Sequence, residues 1–421
     1  MQPSTYVTEF IANEAEAMLI RLKQLKPFSM TVAMVKSAAV SDRAFTGVND
    51  HVNQAKRKLS ISVIAFIRKL RHEKHEGAVD PVALQNQFAM LKLRFNSILD
   101  QLDIYADVLT QRSEQETGTW LRGLDIFAED GLLPGKKYFE MPALMVYLDR
   151  GHGAAIRRAR TRLPGGDLNP VAVIQIPRER MCGNGISASL IHEVGHQGAE
   201  LIGLTQALKE ATHEVGARKT KNKRAWTYFE RWVSEIVADF WAIAQLGIGA
   251  TQGLMGVVSL PAYFQFRLDL NDPHPAPFVR VLLSCRTGGI LFPDPQWQRL
   301  EQLWKSFYPT GNLPAQKRQD LHELIEEMPE FIRLMINLRL KALNNQRLVE
   351  IFPVAERQPH LLRAHYEKIK TDRSILKHIP PTLLFAIAGQ AKADFKLCAK
   401  SESRLIQKQL TNWANHSFNK F

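Results

Sequence analysis

The sequence predicts a mainly α protein with a small β-sheet, an α+β arrangement, and three observations carry that prediction. Apolar residues recur at helical spacing through the first 115 residues and again from Pro295 onward. One short β-branched run, Val171–Pro177, stands out as a strand. Between these lie two helical segments that hold ionisable side chains among residues too apolar for a water-washed surface. At 421 residues, 45% hydrophobic and 23% charged, the chain has material for two or three ordinary cores. The expected organisation is a helical hairpin or bundle over 1–115, a region with the small sheet and the two ionisable helices over 119–290, and a basic helical region over 295–421.

In the first region Leu84, Phe88, Leu91, Phe95, Ile98, Leu102, Tyr105 and Leu109 alternate steps of four and three, a heptad seam. Val52, Ala55, Leu59, Val63, Phe66 and Leu70 form a similar stripe upstream. Gly77 and Asp80-Pro81 between them read as a helix stop followed by a helix start, which predicts an antiparallel hairpin. The seam packs within the chain or takes a partner helix. Polar Gln111–Gly118 reads as a linker and Trp120–Glu129 as a short helix. The middle region begins near Leu132-Leu133-Pro134-Gly135. In the last region Leu321–Leu343 is the longest predicted helix, and Pro353, Pro359 and Pro380-Pro381 punctuate the chain beyond it.

No apolar run approaches the roughly 18 residues of a membrane span, and the start, with Glu9, Glu14 and Glu16 ahead of Arg21, lacks the basic head of a signal peptide. Three cysteines, at 182, 285 and 398, are too few and too scattered for a disulfide framework. Both features predict a cytoplasmic protein with no membrane span, although export by a non-classical route stays open. The net charge is +13, and residues 331–421 hold 16 Lys or Arg against 6 Asp or Glu. Those cations are interspersed among Leu, Ile and Phe at helical spacing, as on the wet faces of amphipathic helices, which argues against a nucleic-acid partner.

The chemistry centres on His192-Glu193-Val194-Gly195-His196. Positions i and i+4 share one face of a helix, so both imidazoles can address one tetrahedral metal. Glu193 lies roughly a quarter-turn away, placed to take a proton from water beside that metal. A helix carrying two surface histidines by chance is the competing explanation. The uncharged run Ile186–Ile191, preceded by the tight turn Gly183-Asn184-Gly185, argues against it, because a charged triplet after such a run is buried and needs partners.

A third ligand is needed. The metzincin spacing would put Gly and His where this chain has Ala199 and Ile202, so that class is excluded. The apolar helix predicted from Ala225 to about Leu246 carries Glu235 and Asp239 four apart, with no Lys or Arg between Val233 and Leu246. Two buried carboxylates require a cation. Zinc supplies it, with Glu235 as third ligand and Asp239 hydrogen-bonded to the free ring nitrogen of a ligating histidine, His192 in the first instance.

HExxH followed by Glu-x-x-x-Asp on a second helix resembles the gluzincin zinc metallopeptidases, the thermolysin-like superfamily. The resemblance spans about Val171 to Arg280 and implies a zincin-like catalytic region flanked by helical ones. It implies His192, His196 and Glu235 as zinc ligands, Glu193 as general base and acid, and Asp239 behind a ligand histidine. Two departures stand out: Ser234 occupies a position that is often Asn, and Glu235 follows His196 by 39 residues (235 − 196), longer than in thermolysin.

Several neighbours extend the site. Val171–Pro177 ends in proline and suits an edge strand that accepts an extended peptide, or a plain structural strand. Asn271-Asp272-Pro273-His274-Pro275 leads into a helix started by Pro277 and carrying Arg280. His274 or Arg280 then stabilises an oxyanion or orients Asp239 or a substrate carboxylate, or else both are structural. Arg218, Lys219, Lys221, Lys223 and Arg224 crowd together without an acidic neighbour, as a solvated loop or as a flap over the cleft that favours acidic substrates. His213-Glu214-Val215-Gly216-Ala217 is a near-copy of the motif that lacks the second His, and reads as coincidence. His152 and Cys182 are weaker site candidates.

The sequence therefore predicts a zinc-dependent peptidase acting on a peptide or protein substrate. A helical binding or scaffold protein with a structural or vestigial zinc site is the alternative, and a basic nucleic-acid-associated protein with an accidental motif is a third. A delivered toxin is a variant of the first.

Overall fold

A computed structural model of the chain describes residues 3–76, 80–150, 153–178 and 183–418. It is mainly helical with one three-stranded sheet. By contact the chain forms two units, Met1–Arg122 with Pro142–Tyr147 and Arg157–Val173, and Gly123–Met141 with Leu148–Ile156 and Ile174–Phe421.

The heptad seam of the first unit lies within one helix. The unit contains α1 (Pro3–Gln24), the one-turn α2 (Phe28–Thr31), α3 (Asp42–Glu76) and α4 (Pro81–Thr110). Helix α4 starts where the sequence indicates: Pro81 opens it and the Asp80 side chain accepts the Val82 N–H at 2.9 Å. Gly77 falls outside the described residues. Leu84, Phe88, Leu91, Phe95 and Ile98 are buried against Leu59, Val63, Phe66 and Leu70 of α3 and against Ile11, Ala15, Met18 and Leu22 of α1. The chain's own α1 thus joins the predicted pair along the seam. Toward the end of α4 the stripe drifts, so that Gln101 and Val108 are buried and Leu102 only partly.

Residues 115–118 are not a linker. They form the first turn of α5 (Gln115–Leu132), and Gly118 lies so close to Ala38 that a Cβ there would sit 2.7 Å from the Ala38 Cβ. A glycine that reads as flexible is in fact a close-approach residue.

The sheet comprises β1 (Ala143–Asp149), β2 (Ala155–Arg157) and β3 (Val171–Pro177) in the order β1-β3-β2. The edge-strand expectation for Val171–Pro177 is therefore corrected, since β3 is flanked on both sides and almost wholly buried. Pro177 occupies the last position of the strand, where a missing N–H marks an end and not an edge.

The second unit holds α6 (Asn184–Leu201), α7 (Leu204–Arg218), α8 (Lys223–Leu246), α9 (Ile248–Val258), the one-turn α10 (Ala262–Gln265), α11 (Pro277–Leu291), α12 (Gln296–Phe307), α13 (Ala315–Asn337), α14 (Pro359–Thr371), α15 (Pro381–Ala393) and α16 (Ala399–Phe418). Helix α8 is its centre: α6, α7, α9, α11, α13 and α15 all pack on it. Its aromatic content explains why. Trp226, Phe229, Trp232, Phe240 and Trp241 are fully buried, Phe229 stacks on Phe331, and Trp241 meets Phe352 edge-on. Among the described residues no helix is long and apolar enough to cross a membrane.

Helix α13 begins and ends earlier than the predicted Leu321–Leu343, and it runs through Pro329. Proline has no N–H for the carbonyl four residues back. That carbonyl, on Ile325, accepts instead from Arg286 Nη1 at 2.7 Å, so the helix continues without a buried orphan.

Leu91 is 7% exposed and Leu93, two residues on, is 59% exposed. Leu91→Ala is expected to destabilise the protein by roughly 2–5 kcal/mol, whereas Leu93→Ala should change stability by no more than about 0.5 kcal/mol. Urea unfolding followed by circular dichroism distinguishes the two; equal losses would contradict the seam.

Candidate metal centre

Helix α6 starts at Gly183, whose φ of +86° suits glycine, and continues through the HExxH residues. His192 and His196 project from one face of α6 toward α8. They meet because the two helices approach unusually closely: a Cβ on Gly195 would lie 2.8 Å from Trp241 Cβ and 2.9 Å from Ala238 Cα, and one on Gly198 would penetrate the Trp241 ring. Trp241 is anchored in turn by its indole N–H, which donates to Gly131 O at 2.8 Å.

Across this contact His192 Nε2 lies 3.2 Å from His196 Nε2 and 3.3 Å from Glu235 Oε2, and His196 Nε2 lies 3.4 Å from Glu235 Oε1. A tetrahedral ion with ligand bonds of about 2.0–2.1 Å sets its ligand atoms about 3.3–3.4 Å apart. The three side chains therefore have the spacing and donor types to hold a metal ion.

Behind the ligand atoms each imidazole has its own support. His192 Nδ1 is 2.8 Å from Asp239 Oδ1, and His196 Nδ1 is 3.3 Å from Ser234 Oγ. A histidine that binds a metal through Nε2 carries its proton on Nδ1, and both partners can accept it. Arg280, at the start of α11, grips Asp239 with Nε to Oδ2 at 2.7 Å and Nη2 to Oδ1 at 2.8 Å, and its Nη2 also stands 3.4 Å from Glu235 Oε2. The structure thus places Arg280 on Asp239. His274 lies on the exposed side, 57% exposed, with Nε2 3.8 Å from Glu235 Oε1 and its backbone N–H and Nδ1 held by Asp272 Oδ1 at 3.0 and 2.9 Å.

Charge dominates this region. Glu193, Glu235 and Asp239 bring three carboxylates against the one guanidinium of Arg280. Burial works against a charge on His192, but the Asp239 carboxylate, with the hydrogen bonds His192 gives to Asp239 and Glu235, outweighs it and pushes the imidazole up to about 10. Burial likewise opposes ionisation of Glu235, which hydrogen bonds from His192 and His196 override, holding it far below the usual carboxylate range. For Asp239 burial is overcome by Arg280 first and His192 second. The chain's own groups thus draw positive charge onto His192, the demand a divalent cation meets. Glu193 is buried, 6% exposed, and has no hydrogen bond or ion pair among the described residues.

Two residues of the basic cluster, Lys219 and Arg224, are engaged by α13. Lys219 Nζ binds Glu327 Oε2 at 2.8 Å and Glu330 Oε2 at 2.7 Å, and Arg224 Nη1 is 3.3 Å from Asp320 Oδ1, so these cations dock on the acidic face of α13. Their acidic partners are invisible nearby in sequence because they come from about a hundred residues downstream. The near-copy of the motif lies on α7, where His213 pairs with Glu230 at 3.0 Å. His152 and Cys182 lie outside the described residues.

Two contributions do not read as parts of the site in the sequence. Ser234 stands there only as a departure from a family pattern, Gly195 only as a position between the two histidines, and Gly198 is not singled out. A small residue at i and i+3 beside a tryptophan-rich helix is the signal that could have marked the close packing.

Ser234→Ala is expected to weaken metal affinity by about 10-fold or more, with the fold unchanged, measured by competition with a chromophoric chelator. Gly195→Ala should also lower metal affinity, because the neighbours its Cβ meets are Ala238 and Trp241 near the backbone and cannot yield cheaply. Gly256→Ala, at a position with free space, is the control and should leave affinity unaltered. Comparison with protein-family models, with curated proteins and with solved structures finds no match to this chain.

Proposed function

We propose that the protein is a zinc-dependent peptidase of gluzincin type, with His192, His196 and Glu235 holding the ion. The observation that carries the reading is Glu193: a largely buried side chain whose carboxylate has no hydrogen bond among the described residues, one residue from a histidine of the group and beside three donor atoms with tetrahedral spacing. A carboxylate free of protein donors next to a metal-binding group can take a hydrogen bond from a water there, as a general base requires.

When bound, zinc supplies Lewis acidity, which polarises a carbonyl and makes water easier to deprotonate. Glu193 accepts the proton of the attacking water and later delivers it to the nitrogen of the leaving amine. His274, whose Nδ1–H is given to Asp272, in its imidazolium form donates the Nε2–H, on the open side next to Glu235, to the oxyanion that develops on the former carbonyl. Asp239 and Ser234 fix the orientation of the two imidazoles, and Arg280 holds Asp239. Arg280 is thus a positioning residue here, and the substrate is a peptide or protein.

The test is hydrolysis of a mixed peptide library by the full chain, with removal of metal by chelator and recovery on adding zinc. Glu193→Gln is expected to keep its zinc, by elemental analysis, and to lose turnover by about 10²–10⁴-fold. His274→Ala should keep zinc and lose about 10²-fold in kcat. A zinc-loaded wild-type chain that cleaves nothing, or a Glu193→Gln chain that keeps wild-type turnover, would refute the proposal.

A further inference from the structure

Five of the 16 Lys or Arg residues in 331–421, namely Lys370, Arg373, Lys377, Arg404 and Lys408, line one cleft. Between α14, the 3-10 turn Arg373–Lys377 and α16 lies a cleft of about 690 Å³. That volume is within the range of about 300–1,000 Å³ in which small ligands bind. Arg373, Lys377, Arg404 and Lys408 line it, all exposed, and none has a hydrogen bond or ion pair among the described residues. No carboxylate belongs to the lining.

The neighbouring acids are already engaged. Glu367 binds Lys370 at 3.0 Å and Lys396 at 2.9 Å, Glu402 is buried and binds Lys392 at 2.8 Å, and Asp372 accepts the Ser374 N–H at 2.8 Å. Arg404 and Lys408 stand four apart on one face of α16, so two like charges are neighbours there, and Arg373 and Lys377 on the turn add two more cations to the same lining. An anion between them relieves that repulsion.

The floor of the same cleft is apolar. Ile369, Leu376 and Leu397 are at its base, and Tyr366, Leu405 and Trp413 form partly buried walls. The Tyr366 hydroxyl donates to Lys396 O at 3.0 Å, which holds one side in place. Gln409 also lines the cleft. It is 2% exposed, and its Oε1 accepts no hydrogen bond. A buried acceptor of this kind requires a donor, which an anionic oxygen cannot provide but a hydroxyl can.

From these features we infer a second binding site, separate in its residues from the metal centre, for an anionic amphiphile: a phosphate or carboxylate head bearing a hydroxyl, on an apolar chain. The cations take the head, Gln409 takes the hydroxyl and the apolar floor takes the chain. Arg is suited to a phosphate or carboxylate because its fork matches two oxygens at once. Nucleic acid fits less well, because the cations surround one apolar cleft and do not follow an extended track.

The test uses the full chain and titration calorimetry. Dodecyl phosphate and lauroyl lysophosphatidic acid, each below its micellar concentration, are expected to bind, and monolauroyl glycerol, with the same chain and no charge, about 10-fold more weakly or not at all. Arg404→Gln with Lys408→Gln should weaken binding of both anionic probes by about 10–100-fold while circular dichroism and zinc content stay unchanged. Gln409→Leu should weaken lysophosphatidic acid and spare dodecyl phosphate, which has no hydroxyl.

Co-sedimentation with phosphatidylcholine vesicles, with and without phosphatidic acid, separates the two sources of this chemistry. Sedimentation that depends on phosphatidic acid and on Arg404 and Lys408 assigns the site to a membrane lipid, and soluble binding without sedimentation assigns it to a free amphiphile. The inference is overturned by any of four results: neither probe form binds, the double variant binds both as before, inorganic phosphate binds as tightly as dodecyl phosphate, or a short oligonucleotide binds more tightly than either.

Discussion

The close contact of α6 with α8 is the constraint on which the candidate centre depends. Two ligands come from one helix and one from the other, so the donor spacing is set by how near the helix axes lie. Glycine at 195 and 198 removes the side chains that would hold them apart, and Trp241 fills the space left beside them. Dispersion over such a large buried surface is strong, and overpacked interfaces shift as units. The motif's central Gly195 is therefore a packing residue as much as a spacer between histidines.

Electrostatics completes what packing begins. Burying three carboxylates within one region is costly unless cations accompany them. Arg280 satisfies Asp239 from a third helix, and His192 takes up the remainder. The same logic recurs away from the centre, where Glu327 accepts from Lys219, Asn222 and the Trp226 indole together. In both places a buried carboxylate on one helix is matched by donors from elsewhere in the chain, which ties the helices of the second unit to one another.

Features that depend on local spacing are legible in the sequence. The α4 seam, the Asp80-Pro81 start, the apolar character of α8 and the i, i+4 pairs His192/His196 and Glu235/Asp239 all come from helical periodicity, and the structure brings those four ionisable groups together. Features that depend on distant partners are not legible. The order of the strands puts Val171–Pro177 between two others, and no local feature of a seven-residue apolar run distinguishes a central from an edge position. The basic residues around Lys219 look uncompensated because their acids lie on α13. Gly118 looks like part of a linker because the wall it touches, Ala38, is far upstream. Ser234 gains meaning only once His196 Nδ1 is placed beside it.

The carboxylate of Glu327 has a bearing on how the chain matures. Its partners on and before α8 are made about a hundred residues earlier, and at about 5–20 residues per second a ribosome needs on the order of ten seconds to cover that stretch. Throughout that interval the nascent Trp226 and Lys219 lack their acceptor, and α8 lacks the covering of α13 and α15. The residues of the candidate centre are thus complete in sequence well before the scaffold that buries them, so late-made segments govern when that region acquires its final shape.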